Sequence, residues 1–459
     1  MNNRIFLLLM ISCFIFVFHS MSGCKTANLT DGISTADSSK VKSTPKEAEK
    51  GYYDKNYFRY EDHTYDDNIK TVLFYRGKDE LSAPVIYLED DEFLTLSFDD
   101  LSAEYEHFSY EFIHCNENWE PSILQEQEYI SGFTNNYIDN YNYSFNTLRR
   151  YINYRLSFPN DMIKFKKSGN YLVKVFRANN PEDVILTRRF FVVEKRVAIS
   201  MNIHAATLAR YRDYMQEVDF VIDNINWPIL NPYNDLKILI RQNRRWDNAV
   251  RDLQPQFIKG NKLTYDYEDK NLFDAGNEFR KFNISNLQYQ SINIDGIQYE
   301  NNQTHVFVLE EEPRSHRRYY TDQDINGRRL IQRESSNQSN IEADYARVHF
   351  TLKRDTPYFH GDVYLFGALS DWQMKEDYKL VYDYSKEAYR IDVGLKQGYY
   401  DYVYAFREFG KEVADFSVVE GNHYETENNY EIFVYHRKTG DVYDRLIGYA
   451  EENSRGNLQ

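Results

Sequence analysis

The chain has 459 residues, 42% hydrophobic and 27% charged, a globular balance that excludes disordered and collagen-like classes. Lys plus Arg total 55 and Asp plus Glu total 71, and the net charge of −16 argues against a nucleic-acid partner. Aromatics reach 16%, with 41 Tyr and 30 Phe, residue types that suit half-buried strands.

Residues 1–23 read as a signal peptide. Arg4 supplies the positive start, Ile5 to Phe18 the apolar run, and Ser20-Met21-Ser22-Gly23 the small residues before Cys24. The run is shorter than the ~20 apolar residues of a membrane-spanning helix. Met21-Ser22-Gly23-Cys24 resembles a bacterial lipobox, which predicts a diacylglyceryl group on the Cys24 thiol. Several acyl chains would hold the protein on a membrane. Residues 24–56, rich in Ser, Thr, Lys, Ala and Asp at their start, read as a flexible tether. With Cys13 removed and Cys24 lipidated, Cys115 is left alone, so the fold has no disulfide to rely on.

Three β-rich blocks follow, at 57–196, 197–340 and 341–450, with a tail at 451–459. The first holds predicted strands at 69–75, 85–88, 93–98, 110–113, 151–158, 171–176 and 189–194. In the second, strands are predicted at 218–222, 236–240, 279–284, 287–294 and 305–309, with a polar, loop-rich stretch from Arg314 to Asn340. Strands at 346–352, 362–367, 389–395, 398–406 and 430–435 make up the third. Short alternating runs separated by turn residues predict an all-β chain of tandem antiparallel sandwiches. The third block resembles early-set, immunoglobulin-like domains in Gly367, Asp371-Trp372 and Gly398-Tyr399-Tyr400-Asp401-Tyr402. Some such domains bind starch, so Trp372, Tyr400 and Tyr402 form a candidate glycan platform, weighed against plain core packing.

Other candidate chemistry is sparse. His114 and Cys115 are adjacent on a strand and point to opposite faces, so they do not form a nucleophile and base. Asp322-x-Asp324-x-Asn326-Gly327 copies half of a calcium loop. The twelfth position is Arg333 instead of Glu, and a plain turn is the preferred reading. The acid runs Glu89–Glu92 and Asp99-Asp100 read as solvated strand ends. No His-x-x-x-His, P-loop, dinucleotide or nucleophile-elbow motif occurs, so no cofactor is expected. Arg244, Arg245, Trp246 and Asp247, with Asn277, Glu278 and Arg280, combine cations, an aromatic and amides after strands. They read equally as a partner-binding patch and as internal Arg–carboxylate braces.

Several segments together resemble one family. They include Leu96-Ser97-Phe98-Asp99-Asp100-Leu101, Phe112-Ile113-His114-Cys115-Asn116, Tyr154-Arg155-Leu156-x-Phe158-Pro159-Asn160, Gln242-Asn243-x-Arg245-Trp246-Asp247-Asn248, Gly276-Asn277-Glu278-Phe279-Arg280 and Leu395-Lys396-Gln397-Gly398-Tyr399-Tyr400. From about Tyr57 to Gly448 the chain resembles the type IX secretion system plug proteins of Bacteroidota. The resemblance implies a non-enzymatic protein that occludes a very large outer-membrane β-barrel translocon from the periplasm when cargo is absent. With Cys24 lipidated, the chain would sit on the inner leaflet of the outer membrane. The competing expectations are a carbohydrate-binding lipoprotein using the third block, and a hydrolase with convergent carboxylates or a Cys115–His pair.

Overall fold

Alternation builds the first core. In strand Leu94–Asp100, Leu94, Leu96 and Phe98 point one way and are fully buried. They meet Phe108, Tyr110 and Phe112 of Phe108–Cys115, together with Tyr171, Phe190 and Val192. Two sheets enclose this core in the computed structural model, which describes residues 57–132, 136–178 and 180–457. One sheet runs Ile69–Arg76, Leu94–Asp100, Ile152–Phe158 and Asn140–Tyr143. The other runs His63–Thr64, Val184–Val193, Gly169–Arg177, Phe108–Cys115 and Asn136–Tyr137, with Val85–Tyr87 added in parallel to Val184–Val193. The predicted signal peptide, Cys24 and tether lie outside the described residues.

The second sandwich is discontinuous. Its first sheet holds Ala198–Ala205, Met215–Asp223, Lys262–Tyr265 and Phe257–Lys259, with Leu272–Asp274 beside Met215–Asp223. Its second sheet joins Val250–Arg251 and Leu236–Gln242 to Asn429–His436 and Arg445–Asn453 from the end of the chain. Tyr430, Ile432 and Val434 complete the core begun by Ile238 and Ile240.

The third sandwich is inserted into the second. Its sheets are Arg280–Asn283, Gly398–Glu408 and Arg329–Ile331, with Gly361–Phe366 on Gly398–Glu408, and Ile294–Glu300, Gln303–Val308, Tyr345–Lys353, Ala388–Lys396 and Val381–Asp383. The two ends of the insertion touch: Asn428 Nδ2 donates to Ala275 O at 2.9 Å, and Thr426 Oγ1 to Gly276 O at 2.9 Å.

The all-β sandwich class therefore holds, but strand pairing crosses the border placed at 340/341. Leu236–Gln242 finds its partner in Asn429–His436, a pairing that no local periodicity encodes. Leu287 to Asn293 is not a strand; pairing starts at Ile294. The strands Ala198–Ala205 and Arg445–Asn453 had not been anticipated.

The sandwiches meet through their outer faces. Phe191 and Val193 alternate with the core residues Phe190 and Val192 and pack on Leu239, Phe433 and Tyr435 of the second sandwich, with Cys115 and Trp119 alongside. The odd-numbered face of Leu94–Asp100 is covered as well, so that Asp99 is buried, and Asp100 is buried at the end of the even-numbered face, contrary to their reading as solvated ends. Asp99 meets Lys396 and Tyr345 of the third sandwich at 2.6 Å each.

Candidate functional site

The residues offered as a partner patch turn inward. After Leu236–Gln242 the chain reverses through Asn243 and Arg244, both with positive φ. Arg244 then donates to Leu81 O (2.8 Å) and Ser82 O (3.1 Å) of the first sandwich. Arg245 forms a two-pronged pair with Asp247, at 3.0 and 2.7 Å, and donates to Ala414 O at 2.8 Å. Asp247 in turn accepts the Ala414 N–H. The Trp246 ring carries Arg241 at 4.4 Å and Arg189 at 4.6 Å, and Trp119 sits edge-on to it.

Asn277 Nδ2 donates to Glu420 O. Arg280 and Arg314 both pair with the fully buried Glu420, at 3.0 and 2.6 Å, and Arg280 also reaches Glu311 at 2.9 Å. Glu278 accepts from Tyr319 and from Arg455 of the C-terminal turn. Burial pushes its carboxyl up to about 7. These seven side chains are braces within and between sandwiches, so they are corrected from a partner surface to internal supports.

The glycan platform is also overturned. Tyr400 and Tyr402 are 1% and 0% exposed. Tyr400 stacks on Phe282, and the Tyr402 hydroxyl donates to Glu311 at 2.6 Å. Strand Gly398–Glu408 is covered on both faces: Tyr400, Tyr402 and Tyr404 enter the third core, while Val403 and Ala405 pack with Phe279, Phe366 and Phe416. Trp372 is half-buried, edge-on to Phe279 and Phe366.

The calcium-like segment is a turn. Asp324 accepts the Asn326 and Phe279 N–H groups at 2.8 and 2.6 Å, and Asp322 pairs with Lys281 at 2.6 Å. Gly327 has φ +72°, and a Cβ there would lie 2.4 Å from the Trp372 ring and 2.5 Å from Phe279, so the turn requires glycine. Beside it, burial and the Asp324 carboxylate push Asp401 up to about 8.

Cys115 and His114 face apart. Cys115 joins the cluster between the first and second sandwiches, and burial pushes its thiol up to about 12. His114 lies among Tyr129, Tyr171 and Tyr443, and burial lowers it to about 4. Such a pair supplies no thiolate.

One polar cluster was missed. His204, Glu217 and Asp219 bring their side-chain ligand atoms within 4.8 Å of one another. His204 Nδ1 donates to Ala205 O at 2.8 Å, so its Nε2 must also be protonated to donate to Asp219 Oδ2 at 2.9 Å. Glu217 accepts from Thr207 N and Oγ1, and Asn271 donates to Asp219. The cluster is a satisfied imidazolium–carboxylate pair. Its signal was the alternation of Ile199, Met201 and Ile203 with Ser200, Asn202 and His204.

An edge of the first sandwich exposes a run of aromatic side chains. Asn136–Tyr137 and Asn140–Tyr143 end its two sheets. Tyr137, Tyr143 and Phe145 are 51%, 58% and 59% exposed. The Tyr141 ring lies tilted against Tyr105, with centroids 4.6 Å apart, and Asp139 is the one charge between Asn136 and Leu148. Tyrosines give large amphipathic contact area at low entropic cost, and a terminal strand offers unpaired backbone groups. Sequence reading passed over this segment because its strands are only two and four residues long.

Residues 69–194, the body of the first sandwich, match the family model described as type 9 secretion system plug protein 1st domain. The fold is also similar to the crystal structure of a hypothetical protein from Parabacteroides merdae. That chain is 38% identical, with a TM-score of 0.84, and the match covers 86% of this chain and 100% of that one. No match is found among curated proteins.

Proposed function

The chain belongs to the type IX secretion system plug protein family, and from this premise we propose that it is a non-enzymatic plug that binds and seals the periplasmic opening of the translocon when cargo is absent. The observation that carries the proposal is the match of residues 69–194 to the plug-protein first domain. A seal must resist deformation, and three sandwiches cross-braced by buried ion pairs are consistent with a stiff body. Lys396–Asp99 at 2.6 Å joins the third sandwich to the first, and Arg241–Glu431 at 2.8 Å braces neighbouring strands within the second. The aromatic edge of the matched sandwich is the docking surface in this reading. Lipidation at Cys24 would keep the chain on the barrel's own membrane and raise its effective concentration there.

The test is affinity recovery from detergent-solubilised outer membranes with a C-terminal tag. Recovery of a very large β-barrel with the wild-type chain is expected, with less recovered by Cys24→Ala. Cells lacking the chain should admit a large hydrophilic antibiotic, and this leak should vanish when the barrel is also deleted. A tagged chain that recovers no barrel, or a leak that persists without the barrel, overturns the proposal. The glycan reading loses its stacking surface with Tyr400 and Tyr402 buried.

A further inference from the structure

A cavity of about 140 Å³ lies where the three sandwiches meet. Six arginines line it, two from each sandwich: Arg188 and Arg189, Arg241 and Arg244, Arg328 and Arg329. Asp62, Glu80 and Asp371 also line it. In a chain of net charge −16 this local surplus of cations is unusual.

The carboxylates do not neutralise the guanidiniums one for one. Asp371 is shared by Lys375 at 2.7 Å, Arg188 at 3.4 Å and Arg329 at 3.7 Å. Glu431 Oε2 lies 2.8 Å from one terminal nitrogen of Arg241, and among the described residues neither that oxygen nor the buried Arg241 Nε has a hydrogen-bond partner. Among the described residues, the one carboxylate paired with Arg244 is Glu451, at 3.8 Å. Among the described residues, Arg189 and Arg328 have no carboxylate ion pair. Arg189 lies between the Trp119 and Trp246 rings, at 4.4 and 4.6 Å, and donates to Tyr60 O, while Arg328 donates to Leu81 O and Ile325 O. Asp62 accepts the backbone N–H of Arg189, and Glu80 that of Ile331.

The electrostatic cost is visible on the arginines. Burial, opposed by the Asp62 and Glu61 charges and aided by Arg251 and Arg241, lowers Arg189 to about 10. Burial and the Arg244 charge lower Arg328. Burial raises the Glu80 carboxyl above its ordinary range, against the Ile331 N–H and the Arg155, Lys396 and Arg329 charges. A planar guanidinium with free N–H groups is the side chain best matched to tetrahedral oxyanions.

We propose that this cavity is a binding site for a small tetrahedral oxyanion of the phosphate or sulfate class, clamped by arginines from all three sandwiches. The anion would offset the surplus charge, give Arg241 Nε an acceptor, and tie the sandwiches together at their junction. The inference stands on the cavity alone and does not depend on the plug reading.

The test titrates inorganic phosphate into the folded chain in a phosphate- and sulfate-free buffer, read by calorimetry and by thermal unfolding. Saturable binding is expected with a dissociation constant below about 1 mM, together with a rise in Tm that sodium chloride of equal ionic strength does not reproduce. Arg328→Gln and Arg189→Gln, which break no carboxylate pair, should each weaken binding at least about tenfold. Arg437→Gln, outside the cavity, should leave it unchanged. Should the cavity variants fail to fold, a crystal of the wild-type chain soaked in selenate supplies the second measurement, with an anomalous peak expected between the six guanidiniums. Non-saturable binding, equal affinity in the Arg328→Gln and wild-type chains, or a selenate peak elsewhere would overturn the proposal.

Discussion

Lys396 Nζ lies 2.6 Å from Asp99 Oδ2, with both side chains 1% exposed, and the pair joins the third sandwich to the outer face of the first. The Asp99 oxygens also accept from Tyr345 OH and Asn153 Nδ2, and the ammonium sits 4.1 Å above the Tyr151 ring. Removing one partner from such a pair strands the other charge without solvent. Lys396→Met is therefore expected to destabilise the chain by about 3–5 kcal/mol in urea unfolding. The double variant Asp99→Leu/Lys396→Met should recover much of that loss. If the double variant is as unstable as the sum of the singles, the pair is not the coupling element.

A pH dependence follows from His204. The hydrogen bond to Asp219 raises this imidazole to about 9 from its ordinary 6.5. A raised folded-state value adds stability that is complete below about pH 6.5 and lost as pH climbs through about 9. Wild-type stability should therefore decline across pH 6.5–9 relative to His204→Asn. Superimposable pH profiles of the two chains would remove the imidazolium assignment.

Asp401 also makes stability fall with rising pH, but as a growing penalty instead of a lost gain. Its carboxyl, raised to about 8, costs stability once the unfolded chain ionises near pH 4, and the penalty grows until about pH 8. Asp401→Asn keeps an oxygen to accept the Ile325 N–H and removes the ionisable group. It should raise Tm at pH 8 and have little effect at pH 4. A variant less stable than wild type at pH 8 would contradict this account.

Docking is tested at the aromatic edge. Tyr137→Ser, Tyr143→Ser and Phe145→Ser alter exposed side chains and should each change stability by less than about 0.5 kcal/mol. The triple variant should recover at least about tenfold less translocon barrel, the equivalent of about 1.4 kcal/mol of binding. Undiminished recovery would move the docking surface elsewhere.

What was legible in the sequence was what is local. The alternation of Leu94, Leu96 and Phe98 named one face of a strand correctly, and Gly327 marked a turn that admits no side chain. The other face of the same strand misled, because Asp99 is buried by a sandwich whose contacting residues lie more than 240 positions away. The same holds for Arg244 to Asp247. Their chemistry is that of an interface, and an interface is where they sit, but between sandwiches of one chain. The arginine cavity was hidden for a related reason. Arg188-Arg189 and Arg328-Arg329 are ordinary dibasic pairs in sequence, and only the tertiary fold brings them together.

The insertion also sets an order of assembly. Leu236 pairs with His436, so one strand of the second sandwich must wait for about 200 further residues before its neighbour exists. On a ribosome, or while threading across a membrane, the first and third sandwiches can each close as soon as their own strands are made. The second, begun before the third, closes last and is the stage at which an unpaired hydrophobic strand stays open longest. Its closure draws together the two ends of the third, so completion of the C-terminal hairpin is the step that turns three separately folding pieces into one body.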